Sequence, residues 1–213
     1  MQIFINFAIV KKNALQSYKI MFWENSVRGT EFKTRENKIW GKESKKMKKK
    51  YKDVYYDVPN VKTIKELVIH GVGEGKDQPL FMFDNVNGTK DNPFITKTFN
   101  DVWHDINCLG TYMFAHDIKD CNVAIIGENS YEWIIAFFAN LLGKIVSVPL
   151  DPKLPAEDLA VQLNESECKA IFYSEYYAPT VEKIKEIGAP MNTYLYIPDF
   201  QKYIDEGEKL LAD

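Results

Sequence analysis

Three cysteines, three histidines and two arginines are all that 213 residues hold of those types. Cys108, Cys121 and Cys168 are odd in number and far apart, and none belongs to a C-x-x-C pair. That excludes a disulfide framework and a structural zinc site, and it points to a reducing compartment, with the cytoplasm as the expected location. Both arginines, Arg28 and Arg35, lie in the first fifty residues. The remainder has none, which argues against a nucleic-acid surface there, because a duplex binder needs clustered Lys and Arg. Residues 1–10 are apolar but fall short of the ~20 residues that span a bilayer. No basic stretch precedes them and no small-residue cleavage site follows, so they read as neither signal peptide nor anchor. The chain also has no G-x-S-x-G elbow, no G-x-G-x-x-G turn and no Walker loop.

What is present is the material of a globular domain, 46% hydrophobic and 27% charged. Its charge is unevenly spread. Residues 1–50 carry 13 of the 27 basic and 4 of the 30 acidic side chains, a net +9, which leaves residues 51–213 with 14 basic and 26 acidic, a net −12. The chain is therefore expected to divide into a basic, poorly patterned extension, 1–50, and an ordered domain, 51–213. The block KESKKMKKK at 42–50 is read as a solvated charge run; the sharper reading is a polybasic membrane or nucleic-acid arm, with peripheral contact to the inner face of a membrane as the expected form. Met47 also resembles a natural chain start, which would make residues 1–46 an upstream extension.

From residue 51 the patterning is regular. Ile64, Leu67 and Val68 mark one helical face, with Thr63 as cap, Glu66 as its capping-box partner, and Gly71, Gly73 and Gly75 as the stop. Two short apolar runs, 79–83 and 94–99, flank the turn-rich NVNGTKDNP and predict a β-hairpin. Val102, Ile106, Leu109 and Met113 then give a helix over 99–115 with one buried stripe. Buried strands are expected at 122–127, 145–150, 169–173 and 193–197. Helices are expected at 131–142, closed by Gly143, at 155 onward with Pro155 in the first helical position, at 181–187 and at 200–211. Strands alternating with helices at this spacing imply βαβ units: an α/β fold with a parallel sheet.

The residues that carry chemistry are few. Asp101, His104, Asp105 and Cys108 share a helical face at spacing i, i+3, i+4, i+7, which suits a metal; the expected role is the solvated polar face of an amphipathic helix. The turn Gly127-Glu128-Asn129-Ser130 sits where a doubly wound fold holds an anion, but it has one glycine and an acid, so helix capping by Asn129 or Ser130 accounts for it better. Ser147 lies within a strand, Ser174 follows one with no histidine nearby, and Glu157 and Asp158 open a helix; all read as structural. Trp133, Phe137 and Phe138 read as core.

Three segments carry a family resemblance. ITKTFNDVWHDINCLGTYMF resembles the first large helix of the adenylate-forming, AMP-binding acyl-CoA ligases. NVAIIGENSYEWIIAFFANLLGKIVSVPLDPKLPAEDLAVQLNESECKAIFYS is similar to that family's following βαβα block, with GENSYEW and VPLDPKLPAEDL as its most telling words. YYDVPNVKTIKELV resembles the lead-in of bacterial long-chain fatty-acid ligases. The resemblance covers residues 51–213 and implies the N-terminal subdomain of the ligase fold, incomplete. It implies an intact enzyme that takes ATP, Mg²⁺, coenzyme A and a carboxylic acid, by expectation a long-chain fatty acid, through an acyl-adenylate to an acyl-CoA. The T-S-G-T-T-G-x-P-K-G phosphate loop, the Y-G-x-T-E motif, the ribose-binding aspartate and the catalytic lysine of that family are absent, so the chain reads as an amino-terminal fragment, inactive alone. Lys153, in DPKLP, matches a place where relatives carry a basic residue facing the coenzyme A nucleotide; the plainer alternative is an exposed loop lysine. An independent α/β binding or interaction module, built on the same scaffold and without activity, is the competing reading.

Overall fold

The computed structural model describes residues 4–5, 60–85, 87–189 and 191–212. The expected boundary at residue 50, the basic block and the candidate start at Met47 lie outside them. Strand β1 (Phe4–Ile5) pairs antiparallel with β2 (Pro79–Asp84), which pairs antiparallel with β3 (Phe94–Thr98). The hairpin is the one expected; β1 is an addition that the apolar start of the chain did not disclose.

A second sheet is all parallel, in the order β5-β4-β6-β7. Its strands are β4 (Asn122–Ile126), β5 (Val146–Pro149), β6 (Cys168–Tyr173) and β7 (Thr193–Tyr196). In β4, Val123 and Ile125 join one core while Ala124 and Ile126 join another on the opposite face. Helices α2 (Phe99–Ala115), α3 (Tyr131–Leu142) and α6 (Phe200–Ala212) cover the first face. Helices α4 (Ala156–Glu165) and α5 (Ala178–Ile187) cover the second. Alternation along a strand sends successive side chains to opposite faces, so a fully apolar strand demands cover on both.

Local chemistry explains most boundaries. Thr98 and Asp101 form a capping box at the start of α2, and the Ser130 hydroxyl accepts the Trp133 N–H at 3.1 Å to start α3. Pro155 is the N-cap of α4, with ψ at 160°, one place outside the first helical position expected for it. Gly143 closes α3, yet the left-handed residue of that turn is Lys144, φ 60°. Gly143 is needed for room instead: a methyl there would stand 2.9 Å from the Ala139 carbonyl oxygen.

Helix α1 (Ile64–Gly75) corrects the expectation that its glycines end it, since it runs through Gly71 and Gly73 to Gly75. A Cβ on Gly75 would meet the Phe99 ring at 2.3 Å, so Gly75 lets the helix lie against the start of α2. The expected apolar face is also only partly used. Ile64 and Leu67 remain 49% and 50% exposed, because α1 docks through its glycine end.

Asp105 on α2 is buried and joins three elements. Lys97 of β3 donates to its Oδ2 at 2.8 Å, and the Tyr131 hydroxyl of α3 donates to the same oxygen at 2.6 Å. Burial, then the charge of Asp105 and the hydrogen bond to it, push the Tyr131 phenol far above the ordinary tyrosine range.

Helix α6 closes the first face by folding back on α2. Phe200 and Ile204 are buried, and Gly207 lies against Cys108, where a Cβ would fall 1.9 Å from the carbonyl oxygen. The Tyr203 hydroxyl accepts the Tyr196 N–H at 3.1 Å and donates to the Tyr196 carbonyl at 3.2 Å, occupying both backbone groups at the end of β7.

Two outcomes follow for stability. Gly207→Ala forces the helix pair apart and is expected to cost about 1–3 kcal/mol, seen as a thermal midpoint lower by roughly 2–4 °C for each kcal/mol; an unchanged midpoint would show that α6 does not seat there. Asp105→Ala leaves the Lys97 ammonium and the Tyr131 hydroxyl unmatched and is expected to cost about 3 kcal/mol, against about 1 kcal/mol for Tyr131→Phe. Because the folded phenol holds its proton while the unfolded one loses it near pH ~10, stability falls as pH rises past that value. Tyr131→Phe should make that alkaline limb shallower by about 1.4 kcal/mol per pH unit, read from urea midpoints across the range.

Candidate functional site

The strands leaving β4 and β6 turn to opposite faces, β4 into α3 and β6 toward α5. Their carboxyl ends therefore flank the point where an open parallel sheet leaves a crevice for ligands. Three loops meet there: 127–130 after β4, 150–155 after β5 and 174–177 after β6.

Backbone bonds hold the loops in register. The Leu150 N–H donates to the Ile125 carbonyl at 3.0 Å, and the Ser174 N–H donates to the Ile126 carbonyl at 3.2 Å. Gly127 fits between Ser174 Cβ, Ile197 and the Trp133 ring, each 3.4–3.5 Å from where a Cβ would lie. The Ser174 hydroxyl is buried without a hydrogen-bond partner. Tyr177 ends a short 3₁₀ turn (Glu175–Tyr177), and its N–H donates to the Ser174 carbonyl at 3.1 Å. Burial raises the Tyr177 phenol above its ordinary range, and the charges of Glu128 and Asp151, together with Tyr176, raise it further. Carboxylates from two loops thus act on a phenol of the third. Tyr176 packs edge-on against Tyr177 at 5.0 Å and is 73% exposed.

Lys153 is exposed on the middle loop, where its N–H donates to Asp151 Oδ1 at 3.0 Å. It is the one cationic side chain among the three loops. The sequence placed it in a loop with Asp151 but gave no sign that Glu128 and Tyr177 stand beside that loop, since each is more than twenty residues from it.

The remaining candidates go elsewhere. Asp101 accepts the Thr98 N–H and hydroxyl, and Asp105 is taken up by Lys97 and Tyr131. No group of three or more His, Cys, Asp or Glu among the described residues is arranged to hold a metal. The face they share is solvated as expected at Asp101 and His104, which are exposed, and not beyond them: Asp105 is 7% exposed beneath Lys97 and Tyr131, and Cys108 is fully buried where Gly207 of α6 lies against it. His104 lies 3.5 Å from the Cys108 sulfur and 3.4 Å from both Asp105 and Glu208. Burial pushes the Cys108 thiol up to about 11, so it is not a poised nucleophile. Ser147 accepts a hydrogen bond from Asn140, and Glu157 and Asp158 occupy the first turn of α4. Trp133 stacks on Phe137 at 5.5 Å and Phe138 meets Phe137 edge-on; all three are half-buried against the first core.

Known proteins resemble this chain in sequence or in fold. A CoA ligase of Gibberella moniliformis is 31% identical over 74 residues, 35% of this chain and 12% of that protein. The N-terminal domain of FACL13 from Mycobacterium tuberculosis superimposes with a TM-score of 0.57 at 17% identity, over 68% of this chain and 36% of that one. A benzoate CoA ligase from Burkholderia xenovorans gives a TM-score of 0.57 at 13% identity, over 68% of this chain and 28% of that one. At such identities the two structures establish the fold, an α/β arrangement with a parallel sheet matching the N-terminal domain of adenylate-forming ligases. The matched part of the chain spans about a third or less of each of these relatives. The family profile described as AMP-binding enzyme covers residues 77–209, from the hairpin through both helical layers to α6, and the chain belongs to that family.

Proposed function

We propose that this chain is the N-terminal part of an AMP-forming acyl-CoA ligase, one that activates a carboxylic acid with ATP and passes the acyl group to coenzyme A. The observation that carries the reading is the family match over residues 77–209, laid on a sheet whose carboxyl-end crevice is formed. A long-chain fatty acid is the proposed acid. The cytoplasm is the proposed location, with the basic segment before residue 51 making peripheral contact with a membrane surface.

The described residues do not fit ATP and Mg²⁺. Catalysis of this class stabilises charge on a crowded triphosphate, which needs converging amides, a lysine and a metal. The sequence has no phosphate loop, and the crevice presents Glu128 and Asp151. The amides, lysine and metal belong to the rest of such an enzyme, and the chain by itself is expected to release no pyrophosphate from ATP with any carboxylic acid. What this part contributes is a rigid platform, with Lys153 as a point charge for a coenzyme A phosphate.

The alternative, a self-contained module, draws support from α6, which buries Phe200 and Ile204 and seals β7 through Tyr203. The transcript beyond the Asp213 codon separates the two: the ligase reading requires a phosphate-loop sequence downstream, and a stop codon favours the module. In an intact ligase, Lys153→Glu is expected to raise the KM for coenzyme A about tenfold, the scale of one charged hydrogen bond, with acid-dependent ATP–pyrophosphate exchange unchanged. A KM that does not move would remove Lys153 from the coenzyme A site.

A further inference from the structure

The loop of the hairpin, between β2 and β3, lies outside the three crevice loops and carries a reactive pair of its own. Asn87 is the one asparagine of the chain that glycine follows. Asn87 and Gly88 are both exposed. The side-chain amides of Asn100, Asn107, Asn122, Asn140 and Asn164 are each held by a hydrogen bond, whereas that of Asn87 makes none with a described residue. The glycine is required by the loop. A Cβ at position 88 would fall 2.3 Å from the Asn92 carbonyl oxygen and 2.8 Å from Asn85 Cβ, so the loop closes only without one. The same missing side chain leaves the Gly88 nitrogen unscreened toward the Asn87 amide. What restrains that nitrogen is one backbone bond: the Gly88 N–H donates to the Asn85 carbonyl at 2.9 Å and closes a four-residue turn. Asn85 is held in turn by its N–H on the Pro93 carbonyl at 2.8 Å and by its Nδ2 on the Asn92 carbonyl at 3.4 Å. Bonds in an exposed loop open locally, without the fold opening.

We propose that Asn87 is a self-modifying site, converted in the folded chain to isoaspartate and aspartate by cyclisation onto Gly88, with opening of the Asn85–Gly88 turn as the gate. Once the turn opens, the Gly88 nitrogen gives its proton to hydroxide and attacks Asn87 Cγ. A C–N bond forms, the bond from Cγ to the side-chain nitrogen breaks, and ammonia leaves a five-membered succinimide. Water then adds to either ring carbonyl. Opening at Cγ gives aspartate on the original main chain; opening at the α-carbonyl gives isoaspartate, with the main chain rerouted through Cβ and a free α-carboxylate. The net change is one water consumed, one ammonia released and one negative charge gained, in a loop that already holds Asp91. The reaction needs no oxidant, nucleotide or partner and stands apart from the ligase reading.

Incubation of the folded full chain in mildly alkaline buffer made with heavy-oxygen water, followed by peptide mass analysis, tests this. Amide-to-acid conversion with one heavy oxygen is expected at Asn87, in both isomeric products, with isoaspartate counted by an isoaspartyl carboxyl methyltransferase. It is expected to run about fivefold or more slower than in the urea-unfolded chain, the scale of the turn's hydrogen bond. Asn87→Gln, at an exposed position, is expected to abolish it. Asn85→Ala, which removes the bond to Asn92, is expected to speed it about threefold, the scale of a weak hydrogen bond. Gly207→Ala, which weakens the fold far from the loop, is expected to leave the rate unchanged. No conversion at Asn87 in the folded chain, conversion as fast folded as in urea, no gain from Asn85→Ala, or a rate that rises with Gly207→Ala would each overturn the proposal, the last by placing the reaction in the globally unfolded chain. None of those results bears on the Lys153 or transcript tests of the ligase reading.

Discussion

Strand β4 has no side facing water, and the rest of the domain is arranged around that constraint. Val123, Ala124, Ile125 and Ile126 are each at most 1% exposed. Burying one such side chain contributes on the order of 1.5–3 kcal/mol for the larger types, but only if both faces are covered and both backbone edges are paired. β5 and β6 supply the edges, α2, α3 and α6 one face, and α4 and α5 the other. The placement of β4 between strands that follow it in sequence also creates the reversal of direction that opens the crevice. Burial and the ligand-facing geometry are thus two results of one topological choice.

The charged group buried against the first core among the described residues is Asp105, and it is tolerated because its partners come from different elements. Lys97 is carried by the hairpin and Tyr131 by the first turn of α3. An unpaired carboxylate at that depth would cost several kcal/mol, so the arrangement penalises any packing of the hairpin or α3 that moves either partner. Phe81 and Phe83 pack on the Tyr131 ring at 5.7 and 5.4 Å, which ties the same junction apolarly.

Much of this was legible in the sequence where one local pattern decided the outcome. Helix α3 runs from Tyr131 to Leu142 as its apolar run and Ser130 cap require, and β4, β6 and β7 fall within a residue or two of their apolar runs. Expectations failed where a distant contact overruled the local signal. Gly75 reads as a helix breaker and serves as a seat for Phe99. Asp105 and Cys108 read as part of a solvated face, yet Lys97 and Tyr131 take up the first and a helix ninety residues away lies on the second. β1 was invisible because two residues of pairing leave no period. At the crevice, Lys153 was found through a resemblance, whereas the convergence of Glu128, Asp151 and Tyr177 depends on strand order, which single-sequence patterning does not encode.

The Tyr203 hydroxyl on the backbone of Tyr196 bears on how such a chain behaves while it is being made. An outer strand with free N–H and carbonyl groups recruits whatever extended segment comes near, and a chain emerging from the ribosome at roughly 5–20 residues per second exposes it to such neighbours for a time. Tyr203 lies seven residues beyond Tyr196, so the group that quenches the strand leaves the exit tunnel less than two seconds after it at that pace. At the end of that strand, the backbone groups of Tyr196 are thereby taken by the chain's own next helix rather than left for a polysome neighbour.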